Sequence, residues 1–148
     1  MPDVPLAVIR PDEWNLPLFL HVLGAMLLVG TLLLAGLVLF ARRDAGLGFR
    51  VLLVGVLPSY LLMRIAGEWI ASEENFGENE PDWLTIGYVT ADLGALLILV
   101  SLVLTGIAAR RARTTEGGGA LTRVSGGIAY LLLAAYVVSV WAMTAKPG

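Results

Sequence analysis

Four long apolar runs dominate the pattern of hydrophobic and polar positions along the chain. They cover residues 16–40, 51–71, 84–109 and 121–144. Each run reaches or exceeds the ~20 residues that an α-helix needs to cross ~30 Å of hydrocarbon. Backbone polar groups in lipid must be satisfied within the segment, and a helix does this. The pattern therefore predicts an all-α fold, a transmembrane four-helix bundle, in a single membrane domain over residues 1–148.

The connections between the runs are short and differ in charge. Short connections favour antiparallel packing of neighbouring helices, so we expect an up-down-up-down bundle. The first and third connections carry seven of the ten basic residues, whereas the second, SEENFGENEPDW, has five acidic residues and no base. Positive charge marks the cytoplasmic side of short loops. We therefore predict that both termini and the acidic connection face outward (N-out/C-out).

Composition supports a membrane protein and excludes several functional classes. The 148 residues are 57% hydrophobic and 15% charged, with a mean hydropathy of +0.81, which is far less charge than a soluble domain carries. The lipid bilayer is therefore the expected surrounding. The chain has no cysteine, which excludes disulfides and thiolate chemistry. Its formal net charge of −2 gives no reason to expect a nucleic-acid partner.

Polar side chains interrupt the outer halves of the predicted spans, whereas the inner halves are almost purely Leu, Val, Ile, Ala and Gly. At ~1.5 Å per residue, Arg64 and Asp92 each lie roughly 12 Å from the outer end of their helices. Charged groups in a span avoid lipid, so we expect these polar positions to face inward. The candidate site is a ligand-binding or proton-linked cluster of His21, Arg64, Glu68, Tyr88, Asp92 and Tyr136.

Within this cluster, we expect Arg64 to pair mainly with Asp92, at matched depth, with Glu68 above the pair. The intrahelical pair of Arg64 and Glu68 has the less favourable order, because the base precedes the acid at i, i+4. Two carboxylates then face one fixed cation. The second carboxylate must hold a proton, find water or face a charged His21. The cluster is therefore either a structural ion pair or a proton-linked site.

Several functions fit such a cluster. No nucleophile–base pair and no metal-ligand spacing is present, so we expect a non-catalytic membrane protein, an accessory or small-ligand- or ion-binding component. The first alternative is a redox module that binds haem or copper. A single histidine excludes a bis-histidine haem within one protomer, so His21 would pair with a methionine, and Met143 is the best placed by depth. The second alternative is a proton-coupled small-molecule transporter, which with four spans would work as a homodimer or in a larger membrane complex.

The first run opens with the segment LHVLGAMLLVGTLL, in which His21, Gly24, Ala25 and Gly30 stand in the order H-x-x-G-A-x-x-x-x-G. This opening resembles that of small four-helix bacterial membrane proteins, a family of uncharacterised integral membrane proteins. More distantly, it is similar to the copper-resistance D-type membrane domains. The number and length of the spans agree as well. The resemblance implies a multi-pass protein of the bacterial cytoplasmic membrane and supplies no established activity.

Overall fold

The structure, a computed structural model, describes residues 12–74, 82–114 and 118–145, and these residues are almost entirely helical. The prediction of one domain over residues 1–148 also includes positions outside these ranges. In chain order the elements are α1 Asp12–Gly36, a π-helical turn Leu37–Ala41, α2 Ala45–Arg50, a π-helical turn Val51–Val56, α3 Leu57–Glu74, α4 Asp82–Arg113 and α5 Gly119–Ala145. The described part of the chain contains no strand, which confirms the all-α prediction.

Four helical stretches are long and apolar enough to cross a membrane, as the apolar runs predict. These spans, numbered first to fourth, are Leu16–Ala41, Ala45–Glu73, Leu84–Arg113 and Gly119–Ala145. Large apolar side chains remain exposed on all of them, for example Val54 at 73% and Met26 at 68%. Such a surface is unusual for a soluble protein and suits contact with lipid. The structure therefore supports a multi-pass membrane protein.

The second span begins at Ala45 rather than at the predicted residue 51. Asp44 caps this helix, because its Oδ1 accepts a hydrogen bond of 2.9 Å from the backbone N–H of Leu47. An aspartate in this position satisfies a helix N–H that would otherwise lack a partner. Arg43, with φ of 56°, takes the left-handed conformation just before the cap. The first connection is therefore tighter than the sequence suggests, and Arg50 lies inside a helix.

A π-helical turn, Val51–Val56, ends two residues before Pro58 in the second span. Proline has no N–H to donate and its ring crowds the preceding turn of an α-helix. A π-helical turn is one of the ways in which a membrane helix accommodates this disruption. The widened turn is thus the local structural response next to Pro58.

The core is formed by leucine, isoleucine and valine side chains from all four spans. The largest fully buried examples are Leu28, Leu32, Leu39, Leu52, Val56 and Ile98. The first span packs against the second and the fourth, and the third packs against the fourth. The second and third spans pack closely through α2, whereas α3 and α4 touch at few positions. These two spans therefore separate toward the end of the bundle where α3 ends and α4 begins.

A buried hydroxyl cluster joins the third and fourth spans in the half of the bundle where we expect almost no polar residues. The Ser125 hydroxyl lies 2.5 Å from both the Ser101 and the Thr105 hydroxyls. Ser125 also donates to the Ser101 carbonyl oxygen at 3.0 Å. All three side chains are buried. Interhelical hydrogen bonds make these hydroxyls compatible with burial in a mostly apolar part of the bundle.

Candidate functional site

A cavity of about 1330 Å³ lies among the four spans at the end of the bundle where the second and third spans separate. Its wall is mostly apolar, with a few polar side chains. Five of the six predicted site residues line it, and so does the predicted metal ligand Met143. The lining residues in question are His21, Arg64, Glu68, Tyr88, Tyr136 and Met143. The structure therefore brings five of the six predicted residues to one cavity wall, although the sequence gives no sign of the cavity itself.

Arg64 is held by two carboxylates rather than mainly by one. Its Nη2 lies 3.0 Å from Glu68 Oε1 and 3.2 Å from Asp92 Oδ1. The guanidinium carbon also lies 5.1 Å from the centre of the Tyr88 ring, within the range of a cation–π contact. The expected pair with Asp92 is present, but the pair with Glu68 is slightly shorter. One guanidinium nitrogen carries two N–H groups, so it can serve both acceptors at once.

Asp92 is the predicted site residue that does not line the cavity. Its side chain is 69% exposed on the outside of the bundle, compared with 51% for Glu68 and 28% for Arg64. The ion pair between Arg64 and Asp92 therefore connects the cavity wall to the outer surface across the second and third spans. Tyr60 links the same two spans nearby, because its hydroxyl donates to the Ala91 carbonyl oxygen at 3.1 Å.

His21 binds the backbone of the second span through one ring nitrogen. Its Nδ1 lies 2.8 Å from the Met63 carbonyl oxygen. A carbonyl oxygen can only accept, so Nδ1 carries the proton, and Nε2 of the neutral ring keeps a lone pair. The two helices approach closely here because of two glycines. A Cβ on Gly67 would lie 3.1 Å from His21 Nδ1, and a Cβ on Gly24 would lie 2.6 Å from the Met63 backbone nitrogen.

Two buried hydroxyls in the cavity wall lack a hydrogen-bond partner in the described part of the chain. They belong to Tyr136 and Ser139, which are 4% and 6% exposed. The two residues are three positions apart on the fourth span, so they share a face. The Tyr136 hydroxyl lies against Gly94 of the third span, where any larger residue would displace it. Buried hydroxyls normally find a partner, so this pair marks hydrogen-bonding capacity that the protein leaves unused.

Tyr136 is among the site residues predicted from the sequence, whereas Ser139 is not. A serine in a membrane helix commonly bonds its own backbone, as Ser59 does with the Gly55 carbonyl oxygen at 2.7 Å. The i, i+3 spacing from Tyr136 to Ser139 is the one signal in the sequence that points to a shared face.

The residues predicted to hold haem or copper, His21 and Met143, line the same cavity. The methyl group of Met143 packs against Gly87 of the third span. Among residues 12–74, 82–114 and 118–145, no group of three or more His, Asp or Glu side chains could hold a metal ion together. A haem between a histidine and a methionine does not depend on such a group, so this site remains a prediction.

Comparison of the chain with models of protein families, with curated proteins and with solved structures finds no match.

Proposed function

We propose that this protein is a non-catalytic integral membrane protein that binds a small amphipathic molecule in the cavity between its four spans. The observation that carries the proposal is the cavity of about 1330 Å³, with a mostly apolar wall and a few convergent polar groups. Binding sites for small molecules typically have volumes of roughly 300–1,000 Å³ and this same balance of apolar and polar lining. The cavity is large enough for such a ligand.

The arrangement in the membrane is part of the proposal: an up-down-up-down bundle in the bacterial cytoplasmic membrane, with both termini outside. Contacts between the start of one span and the end of another support it: His21 of the first span contacts Met63 of the second, and Gly126 of the fourth contacts Phe40 of the first. The basic residues that support a cytoplasmic location for the opposite end are all exposed. They are Arg42, Arg43, Arg50, Arg110, Arg111, Arg113 and Arg123. The cavity then lies in the outer leaflet, and the resemblance of the first span supports the bacterial location.

The binding test uses the purified protein in lipid nanodiscs and the neutral fluorophore N-phenyl-1-naphthylamine, with empty nanodiscs as the reference. We expect saturable binding that Ala25→Phe abolishes, because Ala25 lines the cavity and a phenyl group there fills it. Ala134→Phe is the matched control, since Ala134 is exposed and lies outside the cavity wall. Thermal unfolding of both variants shows that each is folded. Equal binding by the two variants would contradict a ligand site in the cavity.

A homodimer or a larger membrane complex is supported by the position of Asp92. A carboxylate on the outer surface of a span is costly in lipid, and a neighbouring protein surface relieves that cost. The chain has no cysteine, so single-cysteine variants give an unambiguous cross-linking test. We expect oxidation to link Leu96→Cys protomers, because Leu96 lies one turn from Asp92 and is 58% exposed. Leu131→Cys, at 60% exposure on the fourth span, is the control.

Proton-coupled transport by such a dimer is the alternative function.

A second candidate is the binding of haem or copper through His21. The hydrogen bond from Nδ1 to the Met63 carbonyl favours it, because histidine ligands commonly donate their other ring N–H to a backbone carbonyl. The test is an absorption spectrum and metal analysis of the protein purified in mild detergent. A Soret band or stoichiometric copper that His21→Ala removes would support this candidate. A colourless, metal-free protein would rule it out.

A further inference from the structure

The charged side chains in and beside the cavity wall are unbalanced. Among the described residues, Arg64 is the one permanent cation of the wall, and it is already engaged by the carboxylates of Glu68 and Asp92. Glu73 adds another carboxylate to the wall. The wall therefore carries two carboxylates, Glu68 and Glu73, and one guanidinium, and Asp92 adds a third carboxylate beside the wall. The surplus negative charge lies next to an apolar cavity, where electrostatic interactions are screened less than in water.

The surplus negative charge determines which class of ligand the cavity favours. An anionic head group would meet an arginine whose charge is already matched, and it would be repelled by the remaining carboxylates. A neutral ligand would gain nothing from the surplus charge. A cation would be attracted by the surplus carboxylates.

The unused hydrogen-bonding groups of the wall also favour a ligand with N–H donors. The His21 ring keeps a lone pair on Nε2, because Nδ1 donates to the Met63 carbonyl. The buried hydroxyls of Tyr136 and Ser139 have no partner in the described part of the chain, and each oxygen can accept an N–H. A ligand with N–H donors would satisfy groups that are otherwise left unpaired, and an unpaired buried polar group is costly.

We propose that the cavity binds a lipophilic organic cation, specifically a protonated amine with an apolar body. This inference rests on the proposed function of the cavity as a ligand site. The surplus carboxylates of Glu68 and Glu73 match the positive charge, and the wall hydroxyls and His21 Nε2 accept its N–H groups. The apolar body packs along Ala25, Val29 and neighbouring apolar residues of the first span.

The test compares three probes that share a naphthalene ring and differ in charge at neutral pH. They are 2-(1-naphthyl)ethylamine, which is cationic, 1-naphthaleneethanol, which is neutral, and 1-naphthaleneacetic acid, which is anionic. Binding to the protein in nanodiscs is measured by titration calorimetry, with empty nanodiscs subtracted. We expect the amine to bind about tenfold more tightly than the alcohol, as one partly desolvated charge pair allows, and the acid to bind most weakly.

Neutralising variants assign the preference to the named carboxylates. Glu68→Gln should remove most of the preference for the amine over the alcohol, and it keeps the pair between Arg64 and Asp92. Glu73 has no described ion pair, and Glu73→Gln should reduce the preference for the amine to a smaller extent. Asp44→Asn is the control, because it removes the same charge at the opposite end of the bundle and retains a capping side chain.

The binding measurements either support or overturn the proposal of a cationic ligand. Binding of the alcohol or the acid that equals or exceeds that of the amine would overturn it, and so would an amine preference that survives both glutamate variants. In those cases the proposed ligand site stands, provided that the neutral fluorophore still binds and Ala25→Phe still blocks it. If none of these compounds binds saturably, the proposed function fails as well.

Discussion

The imidazole of His21 and the backbone carbonyl of Met63 form a hydrogen bond of 2.8 Å between the first and second spans. This bond has two consequences. It fixes the register of the two helices at the level of the cavity. It also determines which ring nitrogen is free, because the carbonyl oxygen accepts from Nδ1 and so leaves the lone pair on Nε2. Packing and site chemistry are therefore linked through one side chain.

The first prediction concerns the protonation of this ring. We expect neutral His21 to be the Nδ1–H tautomer. The chain has one histidine, so ¹⁵N-histidine labelling of tag-free protein gives a single imidazole to assign. Long-range ¹H–¹⁵N correlation in nanodiscs should show a protonated Nδ1 and an unprotonated Nε2. The reverse pattern would mean that the bond to Met63 is absent in solution.

The second prediction concerns the glycines of the first span. Gly24→Ala should lower the free energy of unfolding by about 1–3 kcal/mol, because the added methyl group overpacks the interface. The Cβ would lie 2.6 Å from the Met63 backbone nitrogen, and a backbone atom cannot move aside as a flexible side chain can.

Gly30→Ala is the matched control for this prediction. It makes the same change in the same helix, where a Cβ meets nothing within 4 Å. We expect it to be neutral or to stabilise by up to about 1 kcal/mol through helix propensity. Unfolding measured by steric trapping or by thermal denaturation in detergent distinguishes the two variants. Equal effects would show that the first and second spans do not pack as closely as the structure has them.

The third prediction concerns the hydroxyl cluster between the third and fourth spans. Ser125→Ala removes the group that bonds both Ser101 and Thr105. We expect a loss of about 1–2 kcal/mol in the free energy of unfolding, the upper part of the range for interhelical hydrogen bonds in membranes. Ser72→Ala is the control, because Ser72 is exposed and its hydroxyl donates to the Trp69 carbonyl of its own helix. If the Ser125 variant is as stable as the control, the cluster contributes nothing to helix association.

Hydropathy alone predicts the four spans, because the length of apolar sequence needed to cross a bilayer is fixed and few other structures need it. The start of the second span is harder to predict. Residues 45–50 contain two glycines and Arg50 and have no apolar periodicity of their own, so only the Asp44 cap marks the helix. A cap is a single polar residue, and the same residue also occurs in turns.

Some contacts of the candidate site are likewise predictable from the sequence, and others are not. Arg64 and Glu68 are predictable as neighbours because residues four apart share a helix face. The partner of His21 is not predictable, since it is a backbone carbonyl and every residue offers one. The cluster around Ser125 is equally hidden, because a buried serine bonded to another helix has the same sequence signature as a serine bonded to its own. Tertiary packing decides such cases.

The fourth prediction compares two buried tyrosines with opposite hydrogen-bonding states. The Tyr60 hydroxyl donates to the Ala91 carbonyl oxygen at 3.1 Å, whereas the Tyr136 hydroxyl has no partner in the described part of the chain. Tyr60→Phe should therefore lower the free energy of unfolding by about 1 kcal/mol, the usual net value of a hydrogen bond. Tyr136→Phe removes an unsatisfied group, so it should leave the stability unchanged or raise it.

The same two variants separate stability from binding. Tyr136→Phe should weaken binding of 2-(1-naphthyl)ethylamine by about threefold to tenfold, because it removes one acceptor of the cavity wall, at about 1 kcal/mol per hydrogen bond. Tyr60→Phe should leave that affinity unchanged, since the Tyr60 hydroxyl is already used between helices. Paired unfolding and titration measurements on both variants check the prediction. A Tyr136→Phe protein that is destabilised and binds the amine normally would show that the hydroxyl serves the fold, and the ligand role of this part of the wall would be wrong.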